Sequence, residues 1–288
     1  MIKKIPVRTL AGLKLPSISE ERFKIRRVED IIGPVGLVHD LHRHDFYFIL
    51  AIRSGRGEHE IDFEFFSVKE FNLFFLRPGQ VHRLSLAVGS KGFLLEFNNE
   101  FYHPNDKRAA ERLLKASYKN FCALEADRFD RLSSVLELMM EEFNTCETGF
   151  EDAVRSALDI FFIEFLRQGS GSRDVAPVAN SYVQERFEEL LSLLDQHITD
   201  CKQVSDYASM MNLSTYQLGE ISKSSVGKTV SELINERILL EAKRYLIATT
   251  SQVKEVAELL GYDDPSYFIR FFKKHMGYSP EAFRQNSR

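Results

Sequence analysis

The run from Ser251 to Arg284, SQVKEVAELLGYDDPSYFIRFFKKHMGYSPEAFR, constrains this chain more than any other stretch. Val253, Val256, Ala257 and Leu260 recur at the spacing of one apolar helix face. Gly261 follows, where a left-handed C-terminal cap needs a residue without a Cβ. Asp264 and Pro265 then supply an N-cap and a proline at the first helical position, so a second helix begins there. On that helix Phe268, Phe271, Phe272 and His275 share one side. Ser266, Ile269, Arg270 and Lys273 share the other, roughly 200° away at about 100° per residue. An aromatic face to bury and a small, basic face turned outward, with Lys274 alongside, suit a helix laid in a DNA major groove.

The same pattern occurs earlier in the chain. Val204, Tyr207, Ala208 and Met211 echo Val253, Val256, Ala257 and Leu260; Leu218, Ile221, Lys223 and Gly227 echo Phe268, Phe271, Lys273 and Gly277. The offset is 49 residues before the turn and 50 after it, so the second unit carries one extra turn residue. A long helix, Val230 to Ala248, joins the two units and opens on a capping box, Thr229-x-x-Glu232. Ahead of them, Val183, Phe187, Leu190, Leu191, Leu194 and Ile198 mark a further helix. Two reading helices on one chain can occupy successive major grooves about 34 Å apart.

The first reading helix offers Thr215, Tyr216, Gly219, Glu220 and Lys223 outward; the second offers Pro265, Ser266, Ile269, Arg270, Lys273 and Lys274. Arg270 is the candidate for a bidentate guanine contact, with Ser266 and Lys273 on phosphate. Glu220 repels phosphate but can accept from cytosine N4. Either the first unit reads bases with few backbone contacts, or it binds weakly and Arg270 dominates.

The run V-x-x-V-A-x-x-x-G-Y-x-x-x-S-Y-F-x-R-x-F-K-K-x-x-G-x-S-P-x-x-F-R, from Val253 to Arg284, closely resembles the signature of AraC/XylS-type transcription regulators. The resemblance implies a cupin-like sensing domain ahead of a tandem helix-turn-helix domain. It implies promoter DNA and RNA polymerase as partners, a small-molecule effector and a homodimer. Many relatives carry a basic residue where Glu220 stands.

Charge does not announce a nucleic-acid partner. The formal net charge is −4, and from Ser181 onward acidic side chains slightly outnumber basic ones. Positive charge is local: Arg270, Lys273, Lys274, Arg284 and Arg288 stand against Glu281 alone after Pro265. DNA binding therefore rests on motif and patch. The amino terminus lacks the apolar core of a signal peptide, and no apolar run approaches the ~20 residues that span a bilayer. Cys122, Cys146 and Cys201 are odd in number and without metal-type spacing. The expectation is a cytoplasmic protein with no membrane contact.

Residues 1–30 are mixed, an arm at most. From Ile31 to about Tyr102 the chain turns to strand: 46–52, 71–76 and 92–97 are aromatic and branched runs between Gly, Pro and Ser punctuation, the pattern of a sandwich or small barrel. Gly36, five residues, then His42-Arg43-His44 resembles the first cupin motif, and Pro78-Gly79-Gln80-Val81-His82 the second. Residues i and i+2 of a strand face the same way, so His42 and His44 can share a cavity, and a returning strand can add His82. Three neutral imidazoles can hold Zn, Fe or Ni, but Phe48 and Ile49 stand where a metal-binding cupin carries Glu. Hydrogen bonds within the barrel, or a pocket for an organic effector, are the other readings. The family resemblance favours the pocket, with no cofactor and no metal, and with Arg53, Arg77 and Glu96 as further lining candidates.

From about Asn105 to Gln168 two apolar stripes keep a helical phase: Phe129, Leu132, Leu136, Met139 and Phe143, then Phe150, Val154, Ala157, Leu158, Phe161, Phe165 and Leu166. They exceed what one small sheet needs for cover, so part of this surface is expected to pair with a second copy. Gly169-Ser-Gly-Ser-Arg-Asp174 reads as a linker. The expected fold is multidomain α+β. A cupin-like β-barrel with a helical hairpin spans 1–168, a linker 169–180, and an all-α domain of two helix-turn-helix units joined by a long helix spans 181–288. The expected function is a sequence-specific transcription regulator, an activator, and not an enzyme. The alternative is a metal-dependent cupin enzyme, an isomerase or oxygenase, using His42, His44 and His82.

Overall fold

Strands form where branched and aromatic residues can be buried on a pleated surface. The computed structural model describes residues 5–10, 22–102, 107–167 and 181–286, and the expected linker lies outside them. The chain divides into an N-terminal β-rich unit and a C-terminal helical unit. The first comprises β1 (Val7–Arg8), β2 (Phe23–Arg27), a single turn α1 (Val28–Ile31), β3 (Leu37–His44), β4 (Tyr47–Ser54), β5 (Gly57–Ile61), β6 (Glu64–Val68), β7 (Asn72–Leu76), β8 (Val81–Leu86) and β9 (Lys91–Phe97). Then come α2 (Lys107–Ser117), β10 (Phe121–Ala123), α3 (Ala126–Thr145) and α4 (Phe150–Arg167).

Two five-stranded sheets result, ordered β1-β3-β8-β5-β6 and β10-β7-β4-β9-β2. The space between them is filled by Phe48, Leu50, Ile52, Phe74, Leu76 and Leu94 from the second sheet against Ile61, Val68, Leu84 and Leu86 from the first. The outer face of the second sheet, with Ile49, Ala51, Phe75 and Leu95, packs under Phe129, Leu136, Phe161, Phe162 and Phe165 of α3 and α4. β4, β7 and β9 are therefore buried on both faces, which is why their sequences are unbroken apolar runs. They coincide with the expected strands at 46–52, 71–76 and 92–97. β3, β5 and β8 have polar outer faces and escaped the reading of composition. The first 30 residues are more than an arm, since β1 adds to one sheet and β2 to the other.

One irregularity positions the histidines. β3 pairs with β8 as Leu37 to Leu86 and His39 to Leu84, then as His42 to His82. One extra residue sits on β3, a β-bulge. The inward phase of β3 thereby passes from odd to even numbers, and His42 and His44 join the face of Leu84 and His82.

The C-terminal unit is α5 (Ser181–His197), α6 (Val204–Met210), α7 (Thr215–Val226), α8 (Val230–Ala248), α9 (Val253–Leu259), α10 (Pro265–Met276) and α11 (Pro280–Asn286) around one apolar cluster. The two turns are built alike. Leu213 N–H donates to Ala208 O and Tyr262 N–H to Ala257 O, the long bond of a Schellman cap. Asn212 and Gly261 hold positive φ, 54° and 70°. Ser214 caps α7, and Asp264 caps α10 four residues after Leu260, where the extra residue Asp263 is accommodated. Thr229 and Glu232 make the expected capping box on α8.

Candidate functional site

Each second helix of the C-terminal unit turns a buried face inward and a polar face to solvent. α7 buries Leu218, Ile221 and Ser222; Thr215, Tyr216, Glu220 and Lys223 are exposed and Gly219 is half-buried. Tyr216 is 75% exposed, which an aromatic ring tolerates at an interface waiting for a partner. α10 buries Phe268 and Phe272; Ser266, Ile269, Arg270, Lys273 and Lys274 are exposed and Pro265 is half-buried. Asp264 Oδ1 accepts from Ser266 N–H at 2.8 Å, and this bond holds its carboxyl below the usual carboxylate range. The Arg270 guanidinium lies 3.8 Å from the same carboxylate, with its side chain 69% exposed.

Two expectations need correcting. His275 is exposed rather than buried, stacked at 4.7 Å on a half-buried Phe271, because it lies in the last turn beyond the reach of the core. Arg284, counted with the basic patch, is buried, donating to Leu246 O at 2.9 Å and to Ser251 O at 2.5 Å. It ties the ends of α8 and α11 together.

A lysine that sequence reasoning passed over links the two helix-turn-helix units. Lys202 Nζ donates to Thr199 O at 2.7 Å and to Gly261 O at 3.0 Å, and stands 5.1 Å over the Tyr262 ring. A Cβ on Gly261 would lie 2.0 Å from Thr199 O. The turn of the second unit is thus seated against the segment leading into the first.

In the barrel, the structure brings His42, His44 and His82 together: one donor atom from each lies within 4.8 Å of the others, and all three are buried. A fourth, His59 on β5, completes the cluster. His44 Nε2 and His82 Nε2 share a hydrogen bond of 2.7 Å, and His82 Nδ1 shares one of 2.9 Å with His59 Nε2. Phe48 stacks on His44 at 5.3 Å and lies 5.0 Å from His82, filling the place where the cupin motif has Glu. Burial lowers the pKa of all four rings, of His59 to about 3, so they are neutral near pH 7. Gly79 N–H donates to His44 O at 2.8 Å, and Gln80 is held through Asp62, so the β7–β8 turn fixes the His82 strand against the His44 strand.

Arg53 and Arg77 are not part of this cluster. Alternation along β4 sends Leu50 and Ile52 inward and Arg53 outward, where it pairs with Asp130 of α3 at 2.8 Å. Arg77 lies over the Tyr118 ring at 3.7 Å. Glu96 shares the inward face of Leu94, but Arg26 holds its carboxylate at 2.7 Å.

Comparison with known proteins bears on both units. A family model described as an AraC-like ligand binding domain matches residues 33–138, and one described as a helix-turn-helix domain matches 207–286. The probable transcription factor PqrA of Proteus vulgaris is 31% identical over 83 residues, 29% of this chain and 68% of that protein. The chain belongs to the AraC family of transcription regulators.

Two further AraC-type relatives match along both units. The transcriptional activator RhaR of Mannheimia succiniciproducens is 22% identical over 85% of this chain and 86% of its own. RhaS of Escherichia coli, also named an activator, is 23% identical over 85% and 87%. The protein is a DNA-binding regulator with a ligand-binding N-terminal domain, and the enzyme alternative falls. No helix among the described residues is long and apolar enough to cross a membrane. His59 was missed because it sits in GEHEI, where nothing but the pairing of β5 with β8 puts it beside His82.

Proposed function

We propose that α7 and α10 read promoter DNA in successive major grooves, with Arg270 as the chief base contact and Ser266, Lys273 and Lys274 on phosphate. Thr215, Tyr216, Gly219, Glu220 and Lys223 form the reading surface of the first unit, and Pro265 and Ile269 approach the bases in the second. The reading rests on one observation: both helices expose these residues while burying Leu218 and Ile221, or Phe268 and Phe272, on the opposite side. An exposed helix face carrying Ser, Arg and Lys, held by a rigid core, is the chemistry a phosphate backbone and base edges require.

A small molecule taken up in the barrel controls this reading, and the histidine cluster with its aromatic surround is where it binds. A ligand acts only through unequal affinity for two arrangements of the protein. The protein acts as a homodimer, activates transcription through RNA polymerase, and works in the cytoplasm beside its DNA. Exposed Leu138 on α3 and Ile160 on α4 support pairing through the helices that cover the barrel. The two relatives named as activators support the sign of regulation.

The test is a titration of full-length protein onto its promoter, located by genome-wide footprinting. Loss of a bidentate arginine–guanine pair is worth about 1–3 kcal/mol, so Arg270→Ala should weaken specific binding by about 5- to 150-fold. Lys273→Ala should weaken specific and non-specific DNA alike and flatten the salt dependence. Unchanged promoter affinity in Arg270→Ala would refute the assignment.

A further inference from the structure

The four histidines use their nitrogens unevenly. His42 Nδ1 lies 2.6 Å from the Asp40 carbonyl, which can only accept, so this nitrogen carries the proton and Nε2 is left as a bare lone pair. That Nε2 is buried without a hydrogen-bond partner, on a residue 2% exposed. His82 has one nitrogen against His59 and the other against His44. With its proton on Nδ1, donated to His59 Nε2, its Nε2 becomes a second lone pair in the same space. His44 can then keep its own proton on Nδ1, which has no partner, and present Nε2 as the third.

We propose that His42, His44 and His82 bind one divalent transition-metal ion through their Nε2 atoms, with His59 orienting His82. An imidazole ligand whose other ring nitrogen donates to a carbonyl or a second polar group has its tautomer and direction fixed before the ion arrives, and two of these three are so fixed. Three neutral imidazoles suit Zn²⁺, Co²⁺, Ni²⁺ or Cu²⁺ and give no advantage to Mg²⁺ or Ca²⁺. At metal–nitrogen distances of about 2.1 Å, tetrahedral donors sit ~3.4 Å apart. His44 and His82 therefore open from 2.7 Å as the ion replaces the hydrogen bond between them. Phe46 and Phe48 wall the cluster, Phe46 at 4.3 Å from the His44 ring, and keep competing water away. The ligands come from β3 and β8, with His59 on the adjoining β5, so the ion cross-links one sheet. It is held here as a bound ligand and is assigned no catalysis.

Full-length protein, stripped with chelator and free of DNA, is titrated with Zn²⁺ and separately with Co²⁺. One ion per chain is expected, and bound Co²⁺ should show the intense visible bands of tetrahedral nitrogen coordination. His42→Ala and His82→Ala should each lower affinity at least ~100-fold. His59→Gln should lower it about 10- to 100-fold while leaving stoichiometry at one, as loss of an orienting partner does. His275→Ala, on the other unit, should change nothing. If a buried variant fails to fold, the wild-type Co²⁺ spectrum decides. No stoichiometric uptake, an octahedral Co²⁺ spectrum, or uptake that survives His42→Ala would overturn the proposal. Because uptake is measured without DNA, its failure leaves the promoter-binding reading untouched.

Discussion

Arg270 and Arg284 lie 14 residues apart in one basic stretch, and their surroundings separate them. Arg270 reaches into solvent; Arg284 is buried between two backbone carbonyls. Removing a buried donor leaves its acceptors unsatisfied, at about 1–3 kcal/mol each. Arg284→Ala should therefore lower stability by about 2–5 kcal/mol, read as a fall in Tm, while Arg270→Ala leaves Tm nearly unchanged. Equal Tm losses would mean the burial of Arg284 is misjudged. Asp264 gives a pH test. Its folded pKa is depressed by the Ser266 N–H, so the stability it adds is present above its unfolded pKa and is lost as pH falls through the folded one. The Tm difference between wild type and Asp264→Ala should be full near neutrality and close in acid.

At the scale of elements, the two turns reach similar geometry with different residues. Asn212 accepts positive φ at some cost, and Gly261 at none. Asn212→Gly should be neutral or slightly stabilising. Gly261→Ala should destabilise by more than 1 kcal/mol, since strain adds to the close approach of Thr199 O. Thermal melts of both variants check this pair, and a tolerated Gly261→Ala would mean that the Lys202 contact does not seat the second unit. These turns were legible beforehand because caps obey local rules: Gly after an apolar stripe, Asp before Pro, Thr three residues before Glu. The β3 bulge was not legible. Nothing in LVHDLHRH marks the extra residue, which is defined by the partner strand.

The whole molecule comprises two units, each with its own apolar cluster. Residues 181–288 expressed alone should fold and bind promoter DNA, and should lose any response to the barrel's ligand. An unfolded or DNA-indifferent fragment would count against independent units. If the helices over the barrel pair two copies, Leu138→Asp with Ile160→Asp should shift sedimentation of the full chain towards monomer. An unaltered sedimentation profile would move the interface elsewhere.

The sequence by itself determined the helix-turn-helix pair, the capping residues, the doubly buried strands and the family, because those depend on neighbours within a few residues and on spacing along one chain. Tertiary structure alone decided that Arg284 is internal, that Arg53 and Arg77 face away from the histidines, and that His59 stands behind His82. Each depends on strand register or on packing between elements distant in the chain, and a one-residue offset there sends a side chain to the opposite face.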